Sequence, residues 1–478
     1  MEQLTGLDAA FLLLETRTTT GNVGGVLVLD DSGADEALSL PRLTRLITQR
    51  LPLVPLFRRR LMMVPFGLDH PYWIEDPDFD LEFHVRHTAI PAPGSDEQLA
   101  ALIARLHARP LDLRRPLWEF YLISGLSGGR VAVYTKTHHC AIDGASGAEL
   151  LTALLDLDPA GRDVPGDNWK PEQPPDESEL LLRAGVSLAR QPWNALKLAS
   201  ALVDRAPQLV DIARPHLVDL LDRLVPGLNS EAEVISSGSI LPPTTLLNQK
   251  ISAHRRWTFG SLSLDEVKTV KNAYGMTVND VVMAMSAGAL RRWLKEHGDL
   301  PAEPLAAMVP VSVRAAGERA GGGNKISPML VSLPTNVADP VDRLRLVHEA
   351  TTMAKANHAA LPEGLVENAT EFMVPGLLGR AARMSVSLGL LQRANPSNLV
   401  ISNVPGPNVP IYLAGARMLA YYPVSSLVDG LGLNLTVLGY LGGLHFGLLA
   451  DREIVPDVAD IFGFLADELA ALLATVPR

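Results

Sequence analysis

The stretch Val131-Ala132-Val133-Tyr134-Thr135-Lys136-Thr137-His138-His139-Cys140-Ala141-Ile142-Asp143-Gly144 decides how this chain is read. Its first seven residues are β-branched and aromatic with rough alternation, so they predict a strand that carries two adjacent histidines to its end. Asp143-Gly144 turns the chain, and the apolar, helix-forming run Ala148 to Leu157 follows. The motif therefore sits where a strand gives way to a helix. Side chains alternate between the faces of a strand, so His138 and His139 cannot both point into one cavity. One acts and the other supports.

A neutral imidazole takes a proton from an attacking hydroxyl near pH 7 and later returns it to a leaving group. An aspartate a few residues on, Asp143, can fix the tautomer, the loop, or both. Competing readings are a metal site and a purely structural histidine pair. Adjacent histidines on opposite faces chelate poorly, and no His or Cys recurs at zinc-ligand spacing, so no metal is expected. Cys140 invites a Cys-His nucleophile, yet as the neighbour of His139 it faces away if the strand persists, which favours a buried apolar thiol.

The HHxxxDG pattern of His138 to Gly144 resembles the acyl-CoA-dependent acyltransferases of the chloramphenicol-acetyltransferase-like fold. The rest of the chain resembles, more narrowly, the bacterial wax ester synthase/diacylglycerol acyltransferase family. The motifs are Leu4-Thr5-Gly6-Leu7-Asp8-Ala9-Ala10-Phe11, Pro116-Leu117-Trp118, Asn279-Asp280-Val281-Val282, Val309 to Arg314, Gly323-Asn324 with Ser327, Ser402-Asn403-Val404-Pro405-Gly406-Pro407, and Pro410-Ile411-Tyr412. Singly most are weak; in this order they are specific.

The resemblance implies two chloramphenicol-acetyltransferase-like lobes of mixed sheets flanked by helices, an α/β (α+β) fold, joined by a long connector. It makes His139 the general base and His138 a residue that shapes the site. Asp143 is then structural, with Arg314 as candidate partner, and Gly144 completes the turn. Asn279, next to Asp280, either polarises the oxyanion or holds geometry; its alternative reading is a helix N-cap before Val281 to Leu294. Asn324, in a glycine-rich loop close to the site, is a candidate for substrate, oxyanion or structural support, and Ser402-Asn403 could bind CoA or acyl groups, with a tight structural turn as the plain alternative. The implied substrates are acyl-CoA and either diacylglycerol or a long-chain alcohol, with triacylglycerol formation ranked first and no cofactor. Other readings are a different acyltransferase of the same fold, such as a carrier-fed condensation domain, and a non-catalytic lipid-surface binding protein.

Composition sets the frame. The chain has 478 residues, more than one ordinary domain, and its 47% hydrophobic content permits two sizeable cores. A net charge of -11 argues against nucleic acid and against simple electrostatic attachment to anionic lipid. One cysteine excludes an internal disulfide and suits a reducing cytoplasm, and Met1-Glu2-Gln3-Leu4 lacks the features of a secretory signal. A cytoplasmic protein with at most peripheral contact to a membrane or lipid droplet is expected.

Along the chain, residues 1–160 read as an N-terminal lobe that includes the strand Val23 to Leu29 and the helix Glu97 to Leu106. Residues 161–245 read as a linker followed by a connector that is helical in composition and broken by Pro192, Pro207, Pro215 and Pro226. Its Leu217, Leu220, Leu221 and Leu224 share a helical face, for packing or for a lipid surface. From 246 to 478 strands and helices alternate again in a C-terminal lobe. The uncharged stretch Gly430 to Ala450 is long enough to span a membrane, but its glycines and alternation predict a hairpin turning at Gly442-Gly443, with His445 on a strand.

Overall fold

Six strands form the first sheet, in the spatial order β12 (Tyr412–Leu413), β13 (Ala416–Val424), β2 (Asn22–Asp30), β7 (Val131–His138), β6 (Trp118–Ser124) and β5 (Val85–Ala89). The structure is a computed structural model, and it describes residues 1–141, 150–187, 189, 242–312, 326–360 and 395–477. All pairs in this sheet are antiparallel except β5 with β6. Strand β7 is central, with β2 on one side and β6 on the other, and all eight of its residues are buried. The predicted strand is therefore present, and it is covered on both faces. Even Lys136 is 1% exposed, its ammonium held by the Arg109 carbonyl at 2.6 Å and Glu119 at 3.5 Å.

The second sheet runs β10 (Ile326–Leu333), β9 (Leu305–Ser312), β11 (Leu399–Val404), β14 (Leu433–Tyr440), β15 (Gly443–Asp451) and β8 (Arg255–Ser263). Strand β11 lies parallel to both β9 and β14, and the remaining pairs are antiparallel. The stretch that could have passed for a membrane span is the β14–β15 hairpin. It turns on Leu441 and Gly442, whose φ angles of 45° and 78° supply the twist a two-residue hairpin loop needs. Among the described residues no helix is long and apolar enough to cross a membrane. The helices Val278–Glu296, Pro340–Ala360 and Val458–Ala474 pack with this sheet around Trp293, Leu290, Leu344, Leu435 and Leu465, none of them more than 0% exposed. Each such aliphatic burial contributes ~1.5–3 kcal/mol. A three-stranded sheet, β1 (Glu2–Gln3), β4 (Tyr72–Glu75) and β3 (Arg59–Met62), stands apart from both.

Strands β12 and β13 belong to the part of the chain assigned to the C-terminal lobe, 246–478, yet they complete the first sheet by pairing β13 with β2. The division read from sequence and the division into sheets differ here, because local periodicity marks a strand without naming its partner. The exchange fastens the sheets together. Trp257 Nε1 on β8 donates to the Pro423 carbonyl at 3.1 Å, and a Cβ on Gly447 would collide with that same oxygen. A shared core of Val26, Tyr134, Ile103, Val424, Trp257 and Leu449 fills the contact.

After a short helical turn at 150–154, the connector begins without regular structure at 161–176, as its prolines predict. It is pinned rather than loose. Asp167 pairs with Arg58, Trp169 stacks edge-on to Phe79 beneath the Arg58 guanidinium, and Glu172 N–H donates to Glu75 at 3.0 Å. Leu217, Leu220, Leu221 and Leu224, with the four connector prolines, lie outside the described residues.

Candidate functional site

The end of β7 separates the two histidines as the alternation predicts. His138 is its last residue and is fully buried. Its Nδ1 accepts the Cys140 N–H at 3.1 Å, and its backbone N–H donates to the Leu117 carbonyl at 3.0 Å. With Nδ1 an acceptor, the proton of the neutral ring resides on Nε2. That atom lies 3.3 Å from Glu15 Oε1, a close electrostatic contact whose angle falls short of a hydrogen bond.

His139 follows the strand, half-buried, with its N–H donating to the Gly21 carbonyl at 2.7 Å. Its ring stacks on Phe11 at a centroid distance of 3.9 Å and 17° between planes. Phe11 belongs to the helix Gly6–Leu13, which Thr5 caps by accepting the Asp8 N–H. Val133, Thr135 and Thr137 form one row along β7, alternating with Tyr134, Lys136 and His138. An apolar cavity opens beside that row, lined by Leu27, Leu43, Ile47, Phe120, Leu151 and Leu154 together with Val133 and Thr135.

Cys140 is 3% exposed, and burial pushes its thiol well above the ordinary range, with the negative charges of Asp8 and Glu15 adding to the effect. A thiol held protonated is a poor nucleophile, which fits the apolar reading of this residue. Leu117 and Trp118 of the Pro116-Leu117-Trp118 motif are core. Trp118 stacks on Phe57 at 4.3 Å and on His84 at 4.5 Å, its Nε1 donates to the Phe57 carbonyl, and His84 Nδ1 donates to its own carbonyl at 2.7 Å.

A second cluster gathers at the end of β11. Asn403 Nδ2 donates to Asn279 Oδ1 at 3.4 Å, which brings together two motifs far apart in sequence. Asn279 is not the N-cap considered from sequence. Thr277 caps the helix Val278–Glu296, exchanging side-chain bonds with Asp280 in a capping box, and Asn279 sits one residue inside the first turn. The cap signal was present as Thr277-x-x-Asp280, with an aspartate in the place usually held by glutamate.

Asp280 is 1% exposed and also accepts from His348 Nδ1 at 2.9 Å and Thr351 Oγ1 at 2.7 Å. Burial alone would raise its carboxyl; the bonds from His348, Thr351 and Thr277 outweigh burial and hold it below the usual carboxylate range. Ser402 lies half-buried on β11, in register with Thr436. Asp143, Gly144, Arg314 and Asn324 lie outside the described residues.

His445 sits on β15 as a strand histidine, with Nδ1 bonded to Ser261 Oγ at 2.7 Å, and burial lowers its basicity. Phe11 and Glu15 carried no functional weight in the sequence reading. Phe11 lies within the Leu4-to-Phe11 motif, and no local pattern singles out Glu15, which follows the end of the helix Gly6–Leu13.

A family model described as the wax ester synthase/diacylglycerol acyltransferase catalytic domain matches residues 4–282, and one described as the WS/DGAT C-terminal domain matches residues 322–473. The chain belongs to this family. As a member it is an acyltransferase, and the family's activity is acyl-CoA-dependent. It is 35% identical over 476 residues to the probable diacylglycerol O-acyltransferase tgs2 of Mycobacterium tuberculosis, covering 97% of each chain. A diacylglycerol O-acyltransferase of Mycobacterium bovis, named as putative in its description, matches to the same extent.

Among solved structures, the wax ester synthase/diacylglycerol acyltransferase of Marinobacter aquaeolei VT8 superposes over 100% of both chains, with a TM-score of 0.70 and 29% identity. The first condensation domain of the CDA synthetase covers 100% of this chain and 97% of its own at a TM-score of 0.56 and 18% identity, a likeness of fold.

Proposed function

We propose that this WS/DGAT family member is a diacylglycerol O-acyltransferase that forms triacylglycerol from acyl-CoA, with His139 as general base. The observation that carries the assignment is the division between the two rings. His138 is fully buried with Nδ1 occupied, whereas His139 stands half-buried beyond the strand end, on the plane of Phe11. His139 takes the proton of the acceptor hydroxyl as that oxygen attacks the thioester carbon. The resulting tetrahedral oxyanion collapses with cleavage of the C–S bond, and the imidazolium returns the proton to the CoA thiolate. Donors fixed around the oxyanion supply much of the acceleration in such sites. Asn279 and Asn403 are candidates for donors or for holding the geometry, with Asp143, Gly144, Asp280, Arg314, Asn324 and Ser402 in supporting roles.

An acyl chain needs an apolar groove, since each buried methylene contributes about 0.8 kcal/mol; the apolar cavity beside Val133 and Thr135, with room of about 10 Å³ for a water-sized sphere, is too small to hold one as it stands. In this reading the two six-stranded sheets are two chloramphenicol-acetyltransferase-like lobes, contributed largely by 1–160 and 246–478 and joined through 161–245, with β12 and β13 crossing between them. The enzyme works in the cytoplasm, in peripheral contact with a membrane or lipid droplet that supplies its acceptor. The names carried by the mycobacterial relatives favour diacylglycerol as that acceptor. A long-chain alcohol, giving wax ester, is the second reading, favoured by the Marinobacter neighbour.

Release of free CoA thiol from palmitoyl-CoA, followed with diacylglycerol and with hexadecanol, tests both. Diacylglycerol-dependent release that disappears in His139→Ala is expected. Release that survives in a folded His139→Ala protein overturns the assignment of the base.

A further inference from the structure

We infer that Glu15 is the carboxylate that positions the histidine pair, an inference that rests on the acyl-transfer reading above and names a residue that reading does not use. Glu15 Oε1 lies 3.3 Å from His138 Nε2, and the same oxygen accepts the Gly21 N–H at 3.1 Å. Gly21 in turn accepts the His139 N–H through its carbonyl at 2.7 Å, and the Cys140 N–H closes onto His138 Nδ1 at 3.1 Å. One carboxylate thus holds the ring of one histidine directly and, through a single residue, the backbone of the other.

The chemistry of the contact is definite. His138 Nδ1 is committed as an acceptor, so the ring proton is on Nε2, where the Glu15 carboxylate 3.3 Å away favours it electrostatically, without a hydrogen bond in this geometry. No other ionised group is recorded against that nitrogen among the described residues. The site is closed around it: Glu15 is 15% exposed, His138 is fully buried, and a Cβ on Gly21 would come within 2.3 Å of His138 Nε2. Only glycine at 21 allows the loop to approach this closely.

Phe11 lies in the last turn of the helix Gly6–Leu13 and Glu15 two residues beyond its end, so one short segment supplies the contacts to both rings. The loop that carries Gly21 is also anchored from the second sheet, where Arg255 donates to the Thr18 carbonyl. Glu15 is therefore a positioning residue. It acts through His138 and Gly21 and touches no substrate in this arrangement.

The test uses the full chain with Glu15→Ala, Glu15→Gln and Glu15→Asp. Selective 15N labelling of histidine reads the tautomer of His138, with the signal assigned by its loss in His138→Gln. The wild-type protein is expected to show the Nε2–H form, and Glu15→Ala to lose it or mix it with the other tautomer. In thiol-release kinetics Glu15→Ala is expected to lower kcat about 10- to 100-fold, as small misplacements of a reacting group do, while KM for palmitoyl-CoA stays within about twofold.

Glu15→Asp recovers part of kcat. Glu15→Gln, which keeps an acceptor for Gly21 but not the charge facing Nε2, recovers less. A kcat for folded Glu15→Ala within about twofold of wild type overturns the inference. So does a lowered kcat with an unchanged His138 tautomer, because a merely structural side chain would behave that way. If wild-type protein releases no thiol with either acceptor, the acyl-transfer reading fails, and the tautomer alone then decides the role of Glu15.

Discussion

Acid should loosen the joint between the two sheets at His107. This residue is 1% exposed at the end of the helix Asp96–His107; its Nδ1 accepts from Tyr134 O–H at 2.7 Å and its Nε2–H donates to the Ser425 carbonyl at 2.8 Å. Tyr134 lies on β7, while Ser425 follows β13 at the junction with the second sheet. The Tyr134 bond requires a neutral ring, whereas the bond to the Ser425 carbonyl is kept by the imidazolium as well. Burial, reinforced by the positive charges of Lys136 and Arg255 and only partly opposed by the Ser425 bond, lowers the pKa of His107 from 6.5 to about 3. His84, buried between Trp118 and Phe79, is lowered to about 4, chiefly by burial.

In the unfolded chain both rings bind protons below pH 6.5, and in the folded protein neither does until far lower pH. Their contribution is complete above pH 6.5 and is lost as pH falls toward their folded values. Between pH 6.5 and pH 5, each therefore removes about 2 kcal/mol, from 1.36 kcal/mol per unit of unequal protonation. Urea unfolding followed at pH 7.5, 6.5, 5.5 and 5 reads the slope directly. His107→Gln is expected to be less stable at pH 7.5, having lost a fitted ring, but to lose about 2 kcal/mol less on acidification than wild type. A variant that weakens with acid as steeply as wild type refutes the account of His107.

Three other outcomes can be checked by ordinary means. Cys140→Ala should retain at least about half of the wild-type thiol release, because a buried protonated thiol takes no part in direct attack; a folded but inactive variant would overturn that mechanism. Leu151→Trp, which forces a larger ring against a cavity with room for only about one water-sized sphere, should destabilise by about 1–3 kcal/mol in urea titrations; an unchanged midpoint would contradict the tight packing there. Gly447→Val should destabilise by about 3 kcal/mol or more in urea titrations, since its side chain meets the Pro423 carbonyl across the sheet contact, and a change below about 1 kcal/mol would contradict that close approach.

Much of the architecture can be read locally. Strands β2 and β7, the helix Asp96–His107, the β14–β15 hairpin and the separation of His138 from His139 all follow from periodicity, propensity and turn residues confined to a few neighbours. What escapes such reading is pairing at a distance. Nothing around residues 412–424 states that β13 will lie against β2, because both are simply apolar strands. Lys136 is buried within β7, and the carbonyl of Arg109, just past a helix end, and the carboxylate of Glu119 that accommodate it come from elsewhere in the chain.

The candidate site shows the same division. The histidines announce themselves by type and spacing, and Asn279 with Asn403 by motif. Glu15 and Phe11 become visible only once the first helix is folded back onto the end of β7. The N-cap alternative for Asn279 fails because the apolar run after it begins late, three residues inside a helix that Thr277 caps.

The strand exchange also governs how the polypeptide comes off the ribosome. Asp30 is made early and its partner Arg417 near the end, so at ordinary elongation rates the open border of β2 waits on the order of tens of seconds for the strand that covers it. Throughout that interval a row of unsatisfied backbone groups, flanked by Val26, Leu27, Val28 and Leu29, is available to any other nascent chain. Heterologous production at low temperature or with chaperones in excess should therefore matter more for yield than any adjustment of surface charge.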